Sequence, residues 1–471
     1  MKKVLLLFVV AVTVATQAFA GGFLTNTNQS VSYLRMLARG ASSDIDAVYY
    51  NPAGLSWMKK DGFAISLNIQ SAYQNRNIYT NYNVYNYLDP QNPTTKNFEK
   101  LYHGKAKAPV LPSLFVTYKK NKWVASAAFG VYGGGGNAKF GEGLPMFDSQ
   151  IHFGMANNQA LGALTAGLKQ AGMVGDVHDL YTISSALNGK QILYGVQLGA
   201  TYQATDWLAV FAGIRFNYFQ GGYDGYLYAN LKEAFMPIYT GATGSENPTL
   251  TQIVLDCEQS GFGVTPIIGA SVKFDKFTFG AKYEFKCDME IENKTNELVG
   301  PEGSAALDAY KDGVKTANDI PGFLAVAAGY EFFPYLRMSL EYHRFMDKKA
   351  DMAGGKEQFL NHGTNEYLAG LEWDVCKFLT LSAGYQRTDM GMGDKFQSDV
   401  SFNCNSHTVG FGGALNVCKN VKINLAYMFT KFQDYKMGLA DMYAPNVPSI
   451  TGIKTYKRTS NVFGIGVDYT F

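Results

Sequence analysis

The chain has 471 residues, of which 47% are hydrophobic, 14% aromatic and only 17% charged. Its 50 Gly residues make up about a tenth of the chain, where roughly 7% is usual, and its charged fraction is well below the usual quarter. This composition argues against ordinary soluble domains, and the 31 Tyr and 32 Phe argue against disorder. After the first twenty residues no apolar run reaches the length of about 18 residues that a spanning helix needs. We therefore expect an all-β protein.

The N-terminus has the three regions of a secretory signal peptide. Lys2 and Lys3 form the positive region, residues 4–14 are mostly apolar, and Ala18-Phe-Ala20 provides a cleavage site. We expect cleavage after Ala20. Loss of the two lysines from the 41 basic residues balances the 39 acidic ones, so the expected mature chain is neutral. A neutral chain lacks the basic excess that nucleic-acid binding requires.

Strict alternation of apolar with small or polar residues is the strongest pattern in the chain. Phe277 to Lys286 shows it, and so do residues 421–429 and 461–471. Successive side chains of a strand point to opposite faces, so each segment has one apolar face. Fourteen such segments occur, near 62–73, 110–119, 122–132, 190–203, 206–228, 260–274, 276–292, 321–333, 335–346, 363–375, 377–388, 404–417, 420–434 and 457–471.

The connections between these segments alternate between very short and long. The long ones cover roughly 74–109, 133–189, 229–259, 293–320, 347–362, 389–403 and 435–456. Short turns on one side, long loops on the other and an even strand number are typical of an outer-membrane barrel. The sequence therefore predicts a 14-stranded antiparallel transmembrane β-barrel over residues 62–471, located in the outer membrane of a Gram-negative cell.

Two regions do not alternate. Residues 21–61 precede the first strand, and in them Ser30 to Gly40 is weakly helical; we expect this segment to plug the barrel lumen as a small N-terminal helical hatch. In the long loop, a helical insertion is expected at about 137–189. There Leu161, Leu164, Leu168 and Ala171 recur at helical spacing, as do Val177, Leu180, Tyr181, Ser184 and Leu187. These faces either form an external ligand groove or pack on each other as a cap.

The sequence contains no pattern for catalysis, a metal or a cofactor. It has no Gly-x-Ser-x-Gly or His-Glu-x-x-His motif and no phosphate loop, and its six histidines are scattered. The five cysteines are too few for a disulfide framework, although a bridge between Cys376 and Cys418, in similar short turns, is conceivable. We expect a protein that is not an enzyme and that uses no cofactor.

Several motifs resemble the FadL/TodX family of outer-membrane transporters for long-chain fatty acids and other hydrophobic compounds. They are Gly22-Phe23, the stretch from Ala38 to Ala47, the turn Asn51-Pro-Ala-Gly-Leu55, Pro112, and the Gly-rich Gly130–Gly136. The resemblance covers essentially the whole expected mature chain. It implies a barrel that takes ligand from an external groove to a lumenal pocket and releases it sideways into the membrane. It also implies that Phe23 lines the pocket and that Asn51, Pro52, Ala53, Gly54 and Leu55 hold the hatch.

Charged residues on the non-apolar parity are expected to face the lumen. They are Arg215, Lys282, Glu284, Lys286, Glu331, Arg337, Glu341, His343, Glu372 and Lys422. If the ligand is a fatty acid, its carboxylate would bind one or two of the cations. Arg215 and Arg337 are the first candidates, with Lys282 beside them, because Arg offers a fork of donors. The alternative is that these charges pair across strands and stiffen the barrel.

The favoured function is passive uptake of hydrophobic or amphipathic molecules, with long-chain fatty acids as the favoured substrate and outer-membrane lipid as the surrounding partner. Aromatic hydrocarbons are an alternative substrate. A different class of function is a FadL-like barrel that binds exported proteins in secretion, and a third is a water-filled porin. An apolar pocket under Phe23 would favour transport, whereas a lumen filled with polar side chains would favour the protein-binding platform.

Overall fold

The computed structural model describes residues 25–84, 97–156, 158–438 and 451–471. The expected signal peptide and Phe23 lie outside the described residues. The chain from Gly62 onward is dominated by strands, and the segment before it lies inside the ring that they form.

The strands are long, and most exceed ten residues. In chain order they are β1 (Gly62–Tyr82), β2 (Phe98–Lys120), β3 (Trp123–Phe140), β4 (Tyr181–Gln203), β5 (Leu208–Leu231), β6 (Thr249–Phe274), β7 (Phe277–Glu284), β8 (Glu290–Val299), β9 (Lys315–Ala317), β10 (Phe323–Phe333), β11 (Leu336–Phe345), β12 (Asn365–Cys376), β13 (Leu379–Asp389), β14 (Ser406–Asn416), β15 (Val421–Phe432), β16 (Tyr435–Gly438) and β17 (Gly452–Thr470).

These strands form one closed antiparallel barrel. Across the described ranges the ring runs β1 to β7, then β10 to β15, then β17, which pairs back onto β1. β8 continues the line of β7 along β6, and β16 continues β15 along β17. The ring thus has fourteen members, and the predicted fourteen-strand barrel is confirmed. Because the ring is closed, it has no edge strand whose backbone N–H and C=O groups would be left without hydrogen-bond partners in lipid.

Tight turns join neighbouring strands at one end of the barrel. At two of them a non-Gly residue has a left-handed backbone, Asn121 with φ of 54° and Asp275 with φ of 47°. Asn and Asp tolerate this conformation better than other side chains, and it matches the right-handed twist of two strands joined by a short hairpin. The sequence had predicted short connections at both places.

The two faces of the wall differ as the alternation predicted. On β7, Phe277 and Phe279 are about half exposed, whereas Lys282 and Glu284 are buried in the lumen. The last strand follows the same rule, with Phe463, Ile465 and Val467 exposed on the outside. This outer apolar band is the surface that a barrel presents to lipid. Within the described ranges, no helix is both long and apolar enough to cross a membrane.

The strands extend farther on the loop side than the sequence indicated. β1 and β2 continue into the predicted loop 74–109, and β3 and β4 continue into 133–189. The second helix predicted from Val177 to Leu187 was wrong: a 3₁₀ turn, Val177–Leu180, is followed directly by β4. Beyond the lipid band a strand has no apolar outer face, so alternation fades although the ladder continues.

Helices are short and lie inside the barrel or on its loop side. The α-helices are α1 (Val31–Arg35), α2 (Ala47–Tyr50), α3 (Pro145–Ala156), α4 (Gln159–Gln170), α5 (Met236–Thr243) and α6 (Ala305–Asp308). The 3₁₀ helices are Pro52–Trp57, Val177–Leu180, Glu233–Phe235, Asp347–Lys349, Ala353–Phe359 and Asp394–Phe396. The weak helical signal of Ser30 to Gly40 thus becomes only the one-turn α1, which Ser30 caps by accepting from Tyr33 N at 2.9 Å.

All five cysteines lie in the described residues, and none forms a disulfide. Cys376 is partly exposed and Cys418 is exposed, whereas the other three are buried. The bridge considered between Cys376 and Cys418 is therefore absent.

Candidate functional site

The hatch, residues 25–61, is hydrogen-bonded to the wall through the Asn51 turn. Asn51 is buried, and its Nδ2 donates to Gly40 O at 3.2 Å within the hatch and to Ala270 O of β6 at 3.1 Å. Gly280 of β7 makes room for this contact, because a Cβ there would lie 2.1 Å from Gly40 O. The turn therefore joins two parts of the hatch to the barrel at one point.

The rest of the turn packs against the same side of the wall. Pro52 O accepts from Thr201 Oγ1 at 2.8 Å, and Ala53 is packed against Phe211 and Ile267. A Cβ on Gly54 would lie 2.3 Å from Ser42 O, so two backbone segments of the hatch are in close contact there. Leu55 is fully buried in the main apolar cluster.

Polar contacts also hold the hatch on the other sides of the ring. Arg35 forms a buried ion pair with Glu372 of β12 and donates to Ser382 Oγ at 2.7 Å. Gly40 N donates to Glu341 Oε2 of β11 at 2.8 Å, and Gln197 Nε2 of β4 donates to Val48 O at 2.7 Å. The hatch is thus bonded to strands around the whole ring.

The three lumenal cations singled out as ligand candidates are all held by carboxylates. Arg215 is paired with Glu284, and Lys282 Nζ lies 2.7 Å from Glu284 Oε1 and donates to Tyr49 O at 2.7 Å. Arg337 contacts Glu372 at 2.5 Å and Asp374 at 2.7 Å. The geometry thus favours cross-strand pairing over a free ligand site at these positions. Buried in the lumen as predicted are Arg215, Lys282, Glu284, Glu341, His343 and Glu372.

The leucines of the expected external groove lie in a packed cap. Leu161, Leu164 and Leu168 are on α4, which Asn158 caps by accepting from Ala160 N and Leu161 N. All three leucines are buried in one apolar cluster with Leu180 and Leu227 of the neighbouring segments. These contacts fit the cap that packs on itself, one of the two arrangements expected for this loop.

A break in the wall lies between β2 and β3. The ladder pairs Lys107 with Asn137 and next pairs Ser113 with Gly130. Residues 108–112 and 131–136, hereafter the wall break, therefore make no ladder pairs with each other. Val110 on the outer side of the break is 64% exposed.

The start of the hatch is bonded to the inner side of the wall break. Thr25 forms an antiparallel bridge with Gly133, Asn26 N donates to Tyr132 O at 2.7 Å, and Asn26 Nδ2 donates to Gly134 O at 3.1 Å. Gly134 has φ of +98°, and a Cβ on it would lie 2.2 Å from Gln191 O, so only Gly fits this bend. The hatch thus replaces β2 as the hydrogen-bond partner of β3 at the break.

A cavity of about 80 Å³ lies in the lumen beside the wall break. Asn26, Gly134 and Gly136 line it on the side of the break, and Gln74, Arg76 and Arg458 line it on the side of β1 and β17, among other residues. Sequence reasoning missed Arg76 because residues 74–109 were assigned to an external loop. The polar parity of Asn68 and Gln70 continues through Gln74 to Arg76, and this signal could have revealed it.

Comparison with solved structures shows which fold this is. The chain is similar to a Pseudomonas aeruginosa FadL homologue, with a TM-score of 0.61 and 14% identity over 96% of this chain and 99% of that one. The chain has the fold of the FadL-type outer-membrane barrels. The Pseudomonas putida toluene transporter TodX matches with a TM-score of 0.54 and 14% identity over 97% of this chain and 100% of that one.

A third FadL-type structure, the Ralstonia pickettii toluene transporter TbuX, gives a TM-score of 0.52 and 13% identity over 94% of this chain and 100% of its own. No family model and no curated protein matches the chain. Two of these neighbours, TodX and TbuX, are toluene transporters by name. At 13 to 14% identity, the comparison shows the shared fold and does not assign their substrate to this chain.

Proposed function

We propose that the chain carries hydrophobic or amphipathic molecules, with long-chain fatty acids as the leading substrate, passively across the outer membrane, and that it is not an enzyme. The fold that it shares with transporters of hydrophobic compounds supports this proposal. The observation that carries it is the wall break. A continuous ladder between β2 and β3 would isolate the lumen from lipid. Here residues 108–112 of β2 and 131–136 of β3 are not paired with each other, and a lumenal cavity lies beside them.

The proposed route runs from the loop side into this cavity and out through the wall break. The start of the hatch occupies the inner side of the break, so a ligand that leaves sideways has to displace the contacts of Thr25 and Asn26. The driving force is the preference of an apolar chain for lipid, about 0.8 kcal/mol per CH₂ removed from water. No covalent chemistry is needed.

A reversible lock tests this route. Thr25→Cys with Gly133→Cys places a thiol on each member of the antiparallel bridge, in a Cys376→Ser, Cys418→Ser background that removes the two native thiols that are not buried. Radiolabelled oleate uptake is measured in a Gram-negative host that lacks its own fatty-acid importer. We expect uptake to fall under oxidation and to return with reductant.

The matched control is Asn77→Cys with Lys457→Cys, which joins two Cα partners in the intact ladder between β1 and β17. It should leave uptake unchanged in both redox states. Uptake that persists with the Thr25–Gly133 lock fully oxidised would contradict release through the wall break. Toluene uptake without oleate uptake would instead favour aromatic hydrocarbons, the substrate by which TodX and TbuX are named.

A further inference from the structure

Two arginines face each other inside the barrel above the hatch. Arg76 of β1 and Arg458 of β17 are direct Cα partners in the ladder, so their side chains share the inner face. Both line the cavity beside the wall break, and Arg76 is only 7% exposed. Two positive charges are therefore held side by side, with Arg76 buried and Arg458 partly buried.

Neither arginine has an acidic partner among the residues that the structure describes. Arg76 donates to the carbonyl oxygen of Phe402 at 3.2 Å, and Arg458 donates to Asn403 Oδ1 at 2.6 Å, so both have only neutral acceptors. The Nε atoms of both arginines and Oε1 of Gln74 are buried without a hydrogen-bond partner. This differs from Arg215, Lys282 and Arg337, each of which contacts a carboxylate.

A buried guanidinium without a counter-charge is costly, and two neighbouring ones repel each other as well. An anion placed between them would supply the missing charge and accept from the unused Nε donors. A planar carboxylate fits best, because its two oxygens match the donor fork of Arg.

The surroundings of the pair are suited to the rest of an amphiphile. Arg76 lies 4.9 Å from the ring centre of Phe402, and Arg458 lies 4.4 Å from that of Phe432. Phe140 and Leu187 line the same cavity. At about 80 Å³ the cavity holds a head group but not a long alkyl chain, and its Gly134–Gly136 side is the wall break. A chain whose head is bound at the arginines therefore has the wall break beside it.

We propose that Arg76 and Arg458 bind the carboxylate of an amphipathic anion and thereby make the barrel selective for acids over neutral hydrophobic compounds. This proposal rests on the proposed function and assigns it a head-group site. The two arginines form a receptor that is charged before ligand arrives, and the alkyl chain of the ligand is directed into the wall break.

The test compares oleate with oleyl alcohol, which has the same chain and an uncharged head. Binding of each radiolabelled ligand is measured to the purified full-length protein in a non-ionic detergent. Arg76→Gln and Arg458→Gln are each expected to weaken oleate binding about tenfold to a hundredfold, which corresponds to the loss of hydrogen bonds to a charged group. Binding of oleyl alcohol should change by less than about threefold, an amount worth well under 1.4 kcal/mol.

Three variants complete the design. Arg76→Lys keeps the charge but loses the fork, so it should retain more oleate binding than Arg76→Gln. Arg387→Gln removes an arginine at the rim, next to His407, and should bind both ligands as the wild type does. Unheated gel mobility reports folding, and removing one of two neighbouring charges that repel each other should not unfold the barrel.

Oleate binding that is unchanged in both Gln variants would overturn the head-group site while leaving transport intact. An equal loss of oleate and oleyl alcohol in folded variants would also overturn it, because the loss would then concern the pocket and not the charge. Wild-type protein that binds neither ligand would overturn long-chain fatty acids as the proposed substrate, and this site with them.

Discussion

Replacement of Asn51 by Ala should unseat the hatch. Asn51 is 1% exposed, and its amide joins Gly40 of the hatch to Ala270 of the barrel at 3.2 and 3.1 Å. The bond to Ala270 is broken when the hatch leaves the wall, and the bond to Gly40 holds the two halves of the hatch in the shape that fits it. Ala removes both bonds.

The size of the effect follows from these two contacts. A neutral hydrogen bond contributes about 1 kcal/mol net, so the loss of both destabilises the seated hatch by about 2 kcal/mol. With tenfold per 1.4 kcal/mol, the population of the unseated hatch should rise about 30-fold. A barrel of fourteen strands without its plug has a lumen wide enough for water and ions.

Ion conductance across a planar bilayer measures this population directly. Single Asn51→Ala barrels should be open about 30 times more often than wild-type barrels at the same voltage. The exposed Asn75 on the outer face of β1 provides the control, and Asn75→Ala should behave as the wild type. If Asn51→Ala opens no more often than Asn75→Ala, then Asn51 does not anchor the hatch.

Three further predictions concern the lumen, the hatch and the cap. Glu284→Gln leaves Arg215 and Lys282 without their shared carboxylate, so the free energy of unfolding in detergent should fall by about 3 to 5 kcal/mol. The control Glu297→Gln, at an exposed position, should leave it unchanged. Equal effects of the two substitutions would refute the stabilising role of the buried Glu284 ion pairs. Gly280→Ala places a Cβ 2.1 Å from Gly40 O and should lower the melting temperature. Gly162→Ala, on α4 with open space around it, should raise the melting temperature slightly. A higher melting temperature for Gly280→Ala than for Gly162→Ala would contradict the close packing of hatch and wall. Burial, together with neighbouring His178, holds the pKa of His152 in the external cap well below its ordinary 6.5; below about pH 6.5 an opened cap takes up a proton that the packed cap excludes, so cap stability falls with acidification. Hydrogen-exchange protection factors over residues 145–180, which correct for the slower intrinsic exchange at low pH, should therefore fall between pH 7.5 and pH 5 in the wild type but less in His152→Gln, and equal profiles would rule out His152 as the cause.

The face to which each side chain of a strand points was predictable from the sequence because the surrounding lipid imposes it. Phe277 and Phe279 face outward and Lys282 and Glu284 face inward, as alternation requires when one side of a strand meets hydrocarbon. Where the strands rise beyond the lipid band this constraint ends. The segment from Tyr181 to Leu187 therefore has helical spacing of apolar residues, although it is the beginning of β4.

The ion pairs inside the lumen were less predictable than the face to which each charged side chain points. Arg215 and Arg337 were correctly placed inside the lumen, but a single chain does not reveal that Glu284 and Glu372 reach them. That depends on register between strands and on where the hatch brings Arg35, which also contacts Glu372. Arg76 and Arg458 became a pair only through closure of the ring, which joins the first strand to the last.

Because the hatch is bonded to the wall on every side, the barrel has no preformed interior. Inward-facing groups such as Gln197, Lys282 and Glu341 find their partners on the hatch, at Val48, Tyr49 and Gly40. A wall assembled without these partners would enclose polar groups and charges that water would have to solvate. The ring that encloses the hatch closes between the first and last strands, where Ser66 Oγ donates to Asp468 Oδ1. Plug and wall therefore stabilise each other, and a barrel that lacks residues 25–61 should insert slowly and melt early.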